Sequence, residues 1–475
     1  MDTKKLRQKI LDLAIRGKLV PQDPNDEPAS VLLERIRAEK EQLIKEGKIK
    51  RSKKSVASDT SHYENVPFEV PEGWCWVRVS DISSAIIYGV SESAKSEGKY
   101  KLLRITDIQN NKVNWNTVPL TDYPEEKAAS YTLRTGDILF ARTGATVGKS
   151  YLVDNSVPEN SIYASYLIRV QVSSIINSNY VKYFFESSFY WNQIADNSVG
   201  VGQPNVNGTS LGNLWLPIPP IQEQERIVEN LNSWCTIIDE IKVTQESIRV
   251  TISDLRSRIL EYAISGKFVP QDHSDESAIE LLKRINPMFS PTDNRHYENM
   301  PFDLPETWLW VTLSDISNYG ECNNVPVSRI PEDSWILELE DIEKDSGCLI
   351  QRRKKSDRNI NGVRHSFQKG DVLYSKLRTY LNKVLVADQD GYCTTEIIPI
   401  TCVQGIVPEY LCHVLRSKYY VDYTSSLGYG VKMPRLGTAD ALRLMIPVPP
   451  YEEQERISEK ITQIFECLDK ITAEL

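Results

Sequence analysis

The sequence lacks the features of a membrane protein or of a disulfide-stabilised secreted protein. Its 475 residues include no run of eighteen apolar residues, so no membrane span is expected. The N-terminus, MDTKKLRQKILDLAIRGK, is charged throughout and has no apolar signal-peptide core. The eight cysteines are scattered without a CxxC pair, which argues against both a zinc site and a disulfide framework. Together these absences predict a cytoplasmic protein that binds no metal and contacts no membrane.

Catalytic signatures are also missing. The sequence has no H-E-x-x-H, no G-x-S-x-G and no cluster of histidines and cysteines of the metal-binding type. The Asn-Pro-Pro-aromatic motif of amino-methyltransferases is absent, because IPIPPI lacks the asparagine. His62 and His296 lie in equivalent segments beside tyrosine and proline, and we interpret them as packed or hydrogen-bonded side chains. We therefore predict that the chain is not an enzyme and has no catalytic residue.

The stretch ARTGATVGKS, residues 141–150, resembles a phosphate-binding loop but departs from one in two respects. A P-loop has four residues between its first glycine and the Gly-Lys pair, whereas Gly144 and Gly148 enclose only three. A P-loop also opens a helix, and the segment that follows here, SYLVDN, has the pattern of a strand. Because GDILFAR before it is also strand-like, we predict a turn between two strands, with nucleotide binding as the weaker alternative.

The strongest signal in the chain is an internal repeat. HYENVPFEVPEGWCWVRVSDIS begins at His62, and HYENMPFDLPETWLWVTLSDIS begins 234 positions later at His296. GDILFAR and GDVLYSK have the same offset, and LPIPPIQEQERI matches IPVPPYEEQERI with Pro217 aligned on Pro447. The chain therefore contains two copies of one domain.

A second repeat has a different offset and makes the pattern circular. RQKILDLAIRGKLVPQD near the N-terminus matches RSRILEYAISGKFVPQD in the middle, with Ile10 aligned on Ile259. The central segment thus resembles the C-terminus in its first half and the N-terminus in its second half. The simplest arrangement brings the two chain ends together and relates the halves by a pseudo-two-fold axis.

The central segment is predicted to form one long helix over residues 222–265. Pro219 and Pro220 precede it, Glu223 lies where the helix dipole favours negative charge, and Gly266 follows as a C-cap. Apolar residues recur in alternating steps of four and three, which indicates a coiled-coil seam, and the C-terminal tail repeats these steps. The predicted seam residues are Ile227, Leu231, Trp234, Ile238, Ile241, Ile248, Ile252, Leu255, Ile259, Ile457, Ile461, Ile464, Leu468 and Ile471.

Each repeated copy has the pattern of an α+β domain of ordinary size. Its strand-like segments include GDILFAR, SYLVDN and SYLIRVQV in the first copy and GDVLYSK, NKVLVAD and TTEIIPIT in the second. One helical stretch, a Gly-rich loop and a last strand complete each copy. The predicted regions are an N-terminal helical region with a basic linker (1–61), a first domain (62–220), the central long helix and a following helix (221–285), a linker with the second domain (286–450) and a C-terminal helix (451–475).

These features together resemble the specificity (S) subunits of Type I restriction–modification systems. The resemblance covers nearly the whole chain and depends on PEGWCWVRVSDI and PETWLWVTLSDI, on the GDILFARTGATVGK and GDVLYSKLRTYLNK segments, and on the Pro-Pro segments before the long helices. It implies an α+β fold in which two similar, β-rich target-recognition domains are joined by two long antiparallel coiled-coil helices with pseudo-two-fold, circular symmetry. It also implies a non-catalytic subunit whose two domains each read one half of a split, asymmetric DNA site.

The resemblance further implies the partners of the chain. They are double-stranded DNA, two methyltransferase subunits, which the chain would scaffold, and restriction or motor subunits. S-adenosylmethionine, ATP and magnesium would belong to those partner subunits, so no cofactor is expected in this chain. A protein-assembly scaffold that binds no DNA is the alternative function, and the net charge of −9 favours it slightly because nucleic-acid-binding proteins are usually basic.

Candidate DNA contacts lie where positive charge is locally grouped. The turn ARTGATVGK and its partner SKLRTYLNK combine basic residues with threonine or tyrosine, and the Gly-rich loops SVGVGQPNVNG and SLGYGVKMPRLG carry amides or cations. Arginine suits guanine and amides suit adenine; ordinary turn formation explains the glycines equally well. The candidate DNA-binding residues are Arg104, Arg142, Thr143, Thr146, Lys149, Gln203, Asn205, Lys376, Arg378, Tyr380, Lys383, Lys432 and Arg435. The charged run Arg352–Lys355 is either a set of phosphate contacts or a solvated strand face.

Overall fold

The chain was analysed as a computed structural model that describes residues 1–47, 49, 68–197, 206–290, 300, 302–430 and 432–475. It divides into two compact units, Met1–Thr244 (unit 1) and Gln245–Leu475 (unit 2). Most of the predicted basic linker lies outside the described residues, as do His62 and His296. None of the helices in the described ranges is long and apolar enough to cross a membrane.

Unit 1 combines helices at its N-terminus with a β-rich domain. Its helices are α1 (Thr3–Ile15), α2 (Ala29–Lys45), α3 (Val79–Ile82), α4 (Glu125–Ala128), α5 (Ser178–Phe184), α6 (Ser188–Asn197), α7 (Gly208–Gly212) and the first part of α8 (Ile221–Ile264). Its strands are β1 (Cys75–Arg78), β2 (Ser83–Tyr88), β3 (Tyr100–Leu103), β4 (Ile108–Gln109), β5 (Lys112–Val113), β6 (Leu120–Thr121), β7 (Ile138–Ala141), β8 (Ser150–Leu152), β9 (Ser161–Tyr163), β10 (Leu167–Val172) and β11 (Trp215–Ile218).

The central sheet of unit 1 has four antiparallel strands in the order β2-β10-β7-β8. All four residues of β7 are buried, as expected for the apolar run ILFA in the middle of a covered sheet. A second sheet has the order β6-β3-β9, with β3 and β9 parallel, and β4 and β5 form a short antiparallel pair. β1 pairs with β11, which places the end of the domain beside its beginning and leads directly into α8.

Unit 2 repeats this plan with a different second sheet. Its helices are the rest of α8, α9 (Ala278–Ile285), α10 (Leu313–Ile316), α11 (Pro408–Arg416), α12 (Lys418–Leu427), α13 (Thr438–Leu442) and α14 (Tyr451–Glu474). Its strands are β12 (Leu309–Thr312), β13 (Asn324–Pro326), β14 (Trp335–Leu337), β15 (Arg353–Lys354), β16 (Val363–Phe367), β17 (Val372–Ser375), β18 (Val384–Val386), β19 (Gly391–Cys393), β20 (Ile397–Ile400) and β21 (Met445–Val448).

The strands of unit 2 form a three-stranded sheet, β18-β17-β20, and a five-stranded sheet, β13-β16-β19-β14-β15. The first corresponds to the β10-β7-β8 part of unit 1, and β12 pairs with β21 as β1 pairs with β11. The predicted fold class, α+β with two similar β-rich domains, is confirmed. The limits of the five predicted regions stay a prediction.

Each domain has two helices where the sequence predicted one helical stretch. The break falls after Phe185 in unit 1 and at Ser417 in unit 2, and a fully buried serine lies at each break. The hydroxyl of Ser187 donates to the carbonyl of Phe184, and that of Ser417 donates to the carbonyl of Val414, both at 2.7 Å. A serine hydroxyl that binds a nearby carbonyl competes with the helical pattern, which explains the interruption.

The predicted long helix is present as α8, which runs without interruption from Ile221 to Ile264. In unit 2, α8 packs antiparallel against α14. Gln245 donates to the carbonyl of Leu475, whereas Arg256, further along α8, lies 5.0 Å from the ring centre of Phe465. Residue numbers therefore rise along α8 as they fall along α14.

The buried stripe of α8 differs from the predicted register at two places. Trp234 and Leu255 are exposed by 39% and 42%, and the neighbouring Cys235 and Arg256 are less exposed than they are. A straight α-helix has 3.6 residues per turn, so a strict seven-residue pattern drifts from the buried face and is corrected by steps of four. Ile471, near the end of α14, is also exposed. Of the other predicted seam residues, Ile241, Ile248 and Ile464 are half-buried, and those that are buried are Ile227, Leu231, Ile238, Ile252, Ile259, Ile457, Ile461 and Leu468.

The circular repeat is visible in the contacts within each unit. In unit 1, Gly17 ends α1 with φ +64°, and a Cβ there would lie 2.3 Å from Pro71. In unit 2, Gly266 ends α8 with φ +70°, and a Cβ would lie 2.3 Å from Pro305. The N-terminal segment thus makes in unit 1 the contact that the segment after α8 makes in unit 2. The predicted closeness of the two chain ends stays a prediction.

Candidate nucleic-acid interface

The stretch that resembled a P-loop is the hairpin loop between β7 and β8. These strands are antiparallel, with Phe140 opposite Ser150, so a strand and not a helix follows the loop. Gly144 and Gly148 have φ of +80° and +79°, and the hydroxyl of Tyr190 donates to the carbonyl of Gly148 at 2.5 Å. The loop, residues 142–149, is therefore a turn between two strands, as predicted. Tyr190 of α6 binds it through the carbonyl of Gly148.

The end of the Gly-rich loop docks onto this hairpin loop in unit 1. The backbone N–H of Val206 donates to the carbonyl of Arg142 at 3.1 Å. The backbone N–H of Gly208 donates to the hydroxyl of Tyr88 at 2.8 Å. The two loops that the sequence singled out separately therefore meet at one end of the central sheet.

The same junction recurs in unit 2 between the β17–β18 loop, residues 376–383, and the Gly-rich loop, residues 426–437. The N–H of Leu436 donates to the carbonyl of Lys376 at 2.9 Å, which matches the contact between Val206 and Arg142. The N–H of Arg378 also donates to the carbonyl of Pro434 at 2.7 Å. The backbone arrangement of the site is thus common to both units, and the side chains on it differ.

In unit 1 the junction carries an aromatic and basic patch. The guanidinium carbon of Arg142 lies 5.0 Å from the ring centre of Tyr88, within the range of a cation–π contact. Tyr166, 62% exposed, lies beside it, because its carbonyl accepts the N–H of Arg142 at 3.0 Å. Arg142 makes no side-chain hydrogen bond to any described residue, and Lys149 is exposed on the same loop. The guanidinium is therefore oriented by stacking, while its donors have no acceptor among the described residues.

In unit 2 the junction carries other chemistry. Glu396 occupies the position of Tyr166, since its carbonyl accepts the N–H of Lys376 at 3.1 Å. Its carboxylate accepts hydrogen bonds from Nε and Nη2, one edge of the Arg435 guanidinium, at 2.8–3.1 Å, and these hydrogen bonds lower the pKa of Glu396. Tyr380 and Tyr429 are exposed by 46% and 63% around this pair.

Several predicted contact residues are occupied by the chain itself. Arg104 is bidentate to Asp107, at 3.1 and 2.8 Å, within a 3₁₀ turn. The ammonium of Lys383 donates to the carbonyl of Leu339 at 2.7 Å. A guanidinium or ammonium with such a partner contributes mainly to local structure, and we place Arg104 and Lys383 below Arg142 and Arg378 as candidates.

The charged run beginning at Arg352 is largely a set of internal ion pairs. The pairs are Arg352 with Asp388, Lys355 with Glu332, Arg358 with Asp341 and Arg364 with Glu338. Arg353 and Lys354, in β15, are exposed and have no carboxylate partner among the described residues. Within the run Arg352–Lys355 itself, Arg352 and Lys355 are therefore paired inside the chain, and Arg353 and Lys354 stay candidates for phosphate contacts.

Two predicted residues, Gln203 and Asn205, lie outside the described residues. Thr143 and Thr146 are half-buried on the unit 1 loop, and Lys432 is exposed beside the unit 2 loop. Tyr88, Tyr166 and Tyr429 were not predicted as part of this site. Tyr429 lies inside the Gly-rich loop SLGYGVKMPRLG, so the sequence could have indicated it as a candidate. Tyr88 and Tyr166 come close to Arg142 only through the pairing of β2, β10 and β7.

Repeated α+β domains with a basic and aromatic loop junction are typical of a nucleic-acid-recognition protein. The chain matches the family described as Type I restriction modification DNA specificity domain over residues 71–249 and 362–475, and it belongs to that family. It is a specificity subunit and not an enzyme; the catalytic activities lie in other subunits.

Curated relatives and solved structures agree with this assignment. The chain is 32% identical to the type I restriction enzyme EcoAI specificity subunit of Escherichia coli, over 98% of this chain and 90% of that protein. It is 29% identical to the EcoEI specificity subunit of Escherichia coli, over 99% and 90%. The HsdS subunit from Thermoanaerobacter tengcongensis has a TM-score of 0.51 at 18% identity, over 86% of this chain and 93% of that chain. At that identity the structural likeness shows the fold alone.

Proposed function

We propose that the chain reads a bipartite, asymmetric DNA site, one half-site with each recognition domain, as the S subunit of a complex with methyltransferase and restriction or motor subunits. The observation that carries the proposal is the repeated loop junction. Val206 binds the carbonyl of Arg142 as Leu436 binds that of Lys376, so the backbone platform is shared. Two similar platforms with different side chains would select two different base sequences.

The side chains at each junction suit double-stranded DNA. A guanidinium that is held in one orientation can pair with the O6 and N7 atoms of guanine, and exposed lysines can contact phosphates. Arg142 and the exposed Lys149 provide this combination in unit 1, and in unit 2 the exposed lysine is Lys432, beside Arg378 and the half-buried Lys376. The basic groups are local, which reconciles DNA binding with a net charge of −9.

The scaffold part of the proposal depends on α8. Its 44 residues correspond to a length of about 66 Å, and a continuous helix cannot vary in length as a flexible linker does. The helix would therefore fix the spacer between half-sites.

S-adenosylmethionine, ATP and magnesium would be bound by those partner subunits. Two methyltransferase subunits would then each modify an adenine next to one half-site.

The test is sequencing of methylated bases in cells with and without this chain, with its partner subunits present in both. A bipartite methylated motif that disappears with the chain supports the proposal. If the motif persists, the chain is an assembly scaffold that does not select DNA. Insertion of four residues after Gln245 should lengthen the spacer of the motif, whereas the same insertion after Asn116, in an exposed turn, should leave the spacer unchanged.

A further inference from the structure

The two hairpin loops share a backbone feature, a pair of residues with positive φ, but different residue types occupy these positions. Both loops contain two residues with left-handed backbone conformation, four positions apart. In unit 1 they are Gly144 and Gly148, with φ of +80° and +79°. In unit 2 the corresponding residues are Arg378 and Asn382, with φ of +52° and +50°.

Arginine is an unfavourable choice for such a position. The left-handed conformation brings Cβ close to the following carbonyl oxygen, and glycine avoids this cost. Asparagine is among the few other residues that tolerate it, and the amide of Asn382 also donates to the carbonyl of Arg416 at 3.0 Å. Asn382 therefore has a structural explanation that does not extend to Arg378.

The side chain of Arg378 contributes little hydrogen bonding to the fold. Its one hydrogen bond to a described residue, from Nη2 to the carbonyl of Lys432, is 3.3 Å long and exposed, and its Nε–H is buried without an acceptor. The neighbouring Arg435, in contrast, donates from both Nε and Nη2 to the carboxylate of Glu396. At Gly144 a Cβ would meet nothing within 4 Å, so the equivalent position in unit 1 faces open space.

Backbone strain that is not repaid by local contacts indicates a functional constraint. Arg378 lies on the junction between exposed Tyr380, exposed Tyr429 and Lys432, and its N–H is fixed to Pro434. We infer that Arg378 is a specificity-determining residue that reads a guanine in the half-site bound by unit 2. The inference rests on the proposed function and deepens it.

A guanidinium is the side chain best matched to the two acceptors of guanine in the major groove. Lysine has the charge but lacks the planar fork, so it cannot replace arginine in a bidentate contact. Base reading therefore predicts that R378K keeps DNA affinity within a few-fold but loses discrimination at one base pair.

The experiment uses the assembled complex, purified with its partner subunits, and compares R378G, R378K and N382G with the native chain. The readouts are the methylated motif, DNA affinity and the thermal unfolding midpoint. R378G installs the residue that unit 1 uses at this position, so it should leave the midpoint unchanged or raise it by a few degrees, about 2–4 °C. It should also reduce discrimination at one position of one half-site by about 10- to 100-fold.

N382G is the control in the same loop, because it also replaces a left-handed residue by glycine, removes only the hydrogen bond to Arg416, and should leave the motif unchanged. An unchanged motif in R378G would overturn the inference, and so would a uniform loss of affinity without a change of motif, since that is the behaviour of a phosphate contact. A lower unfolding midpoint in R378G would show a structural role and would also overturn it. If the native complex methylates no bipartite motif, the proposed function fails. If the native complex methylates such a motif and R378G does not change it, only the inference about Arg378 fails.

Discussion

Trp74 donates its indole N–H to the carboxylate of Glu223 at 2.9 Å, and the two residues come from the start of the first domain and the first turn of α8. The other carboxylate oxygen accepts the side-chain amide of Gln22 at 3.0 Å. In unit 2, Trp308 and Glu453 repeat the first bond at 2.9 Å, with Gln271 in place of Gln22. Three segments with three different sequence offsets thus form the same contact twice, which is the structural meaning of the circular repeat.

Substitution of this carboxylate should destabilise the junction. In E223Q the amide nitrogen would face either the buried indole of Trp74 or the exposed amide of Gln22, both of them donors, so one of these two hydrogen bonds is lost. The loss of such a bond costs about 0.5–1.5 kcal/mol, and up to about 3 kcal/mol where the buried indole is left unsatisfied. The free energy of unfolding from denaturant titration of the full chain measures the loss. E225Q, on an exposed position of the same turn, should change it by less than about 0.5 kcal/mol, and equal effects of the two changes would contradict the assignment.

A second prediction concerns the buried face of α14, where a buried and an exposed isoleucine should contribute differently to the free energy of unfolding. Ile461 is fully buried and Ile471 is 47% exposed. I461A should lower the free energy of unfolding by about 2–5 kcal/mol because it leaves a cavity, while I471A should cost well under about 1 kcal/mol. A similar loss in both variants would mean that Ile471 is also covered, against the register described above.

Arg142 and Arg104 should respond in opposite ways to the same change. R142Q removes a stacked guanidinium that has no acceptor among the described residues, so it should alter the methylated motif at one half-site and leave the unfolding midpoint nearly constant. R104Q removes the bidentate pair with Asp107, so it should lower the midpoint and leave the motif intact. A motif change in R104Q alone would reverse the ranking of the two residues.

His413 should make unit 2 sensitive to acid. Burial, with a smaller contribution from the charge of Arg416, lowers the pKa of His413 from 6.5 to about 3, and neither ring nitrogen has a hydrogen-bond partner among the described residues. The unfolded chain binds a proton below pH 6.5 that the folded chain does not, so stability is lost as pH falls from about 6.5 towards 3.

The variant H413L should remove this dependence. The difference in unfolding free energy between H413L and the native chain should grow by about 1.4 kcal/mol for each pH unit below 6. Thermal unfolding of both chains at pH 7 and pH 5 checks it. A difference that stays constant between the two pH values would show that His413 is protonated in the folded chain.

The sequence predicted the elements whose signals are local. The predicted helix over residues 222–265 agrees with Ile221–Ile264 within one residue, since the prolines and the final glycine mark its ends. The predicted register of its buried face was wrong at Trp234 and Leu255, which are exposed, because periodicity alone does not show where a helix departs from a seven-residue pattern. The break at Ser417 was missed for a similar reason, since a buried hydroxyl contact is a tertiary feature.

The candidate interface was predictable only in part. The hairpin and Gly-rich loops were found from the repeat, but their docking on each other depends on long-range contacts such as that between Leu436 and Lys376. Arg104 was proposed as a DNA contact because its charge was visible and its pairing with Asp107 was not. The left-handed conformation of Arg378, in turn, is known only from the backbone.

The most direct test of modular reading is to exchange residues 62–216 for the corresponding domain of a relative with a different target and then sequence the methylated bases. Our account predicts a hybrid motif, in which one half-site is new and the other half-site and the spacer are retained. A change in both half-sites, or in neither, would contradict the claim that each unit reads its own half of the DNA.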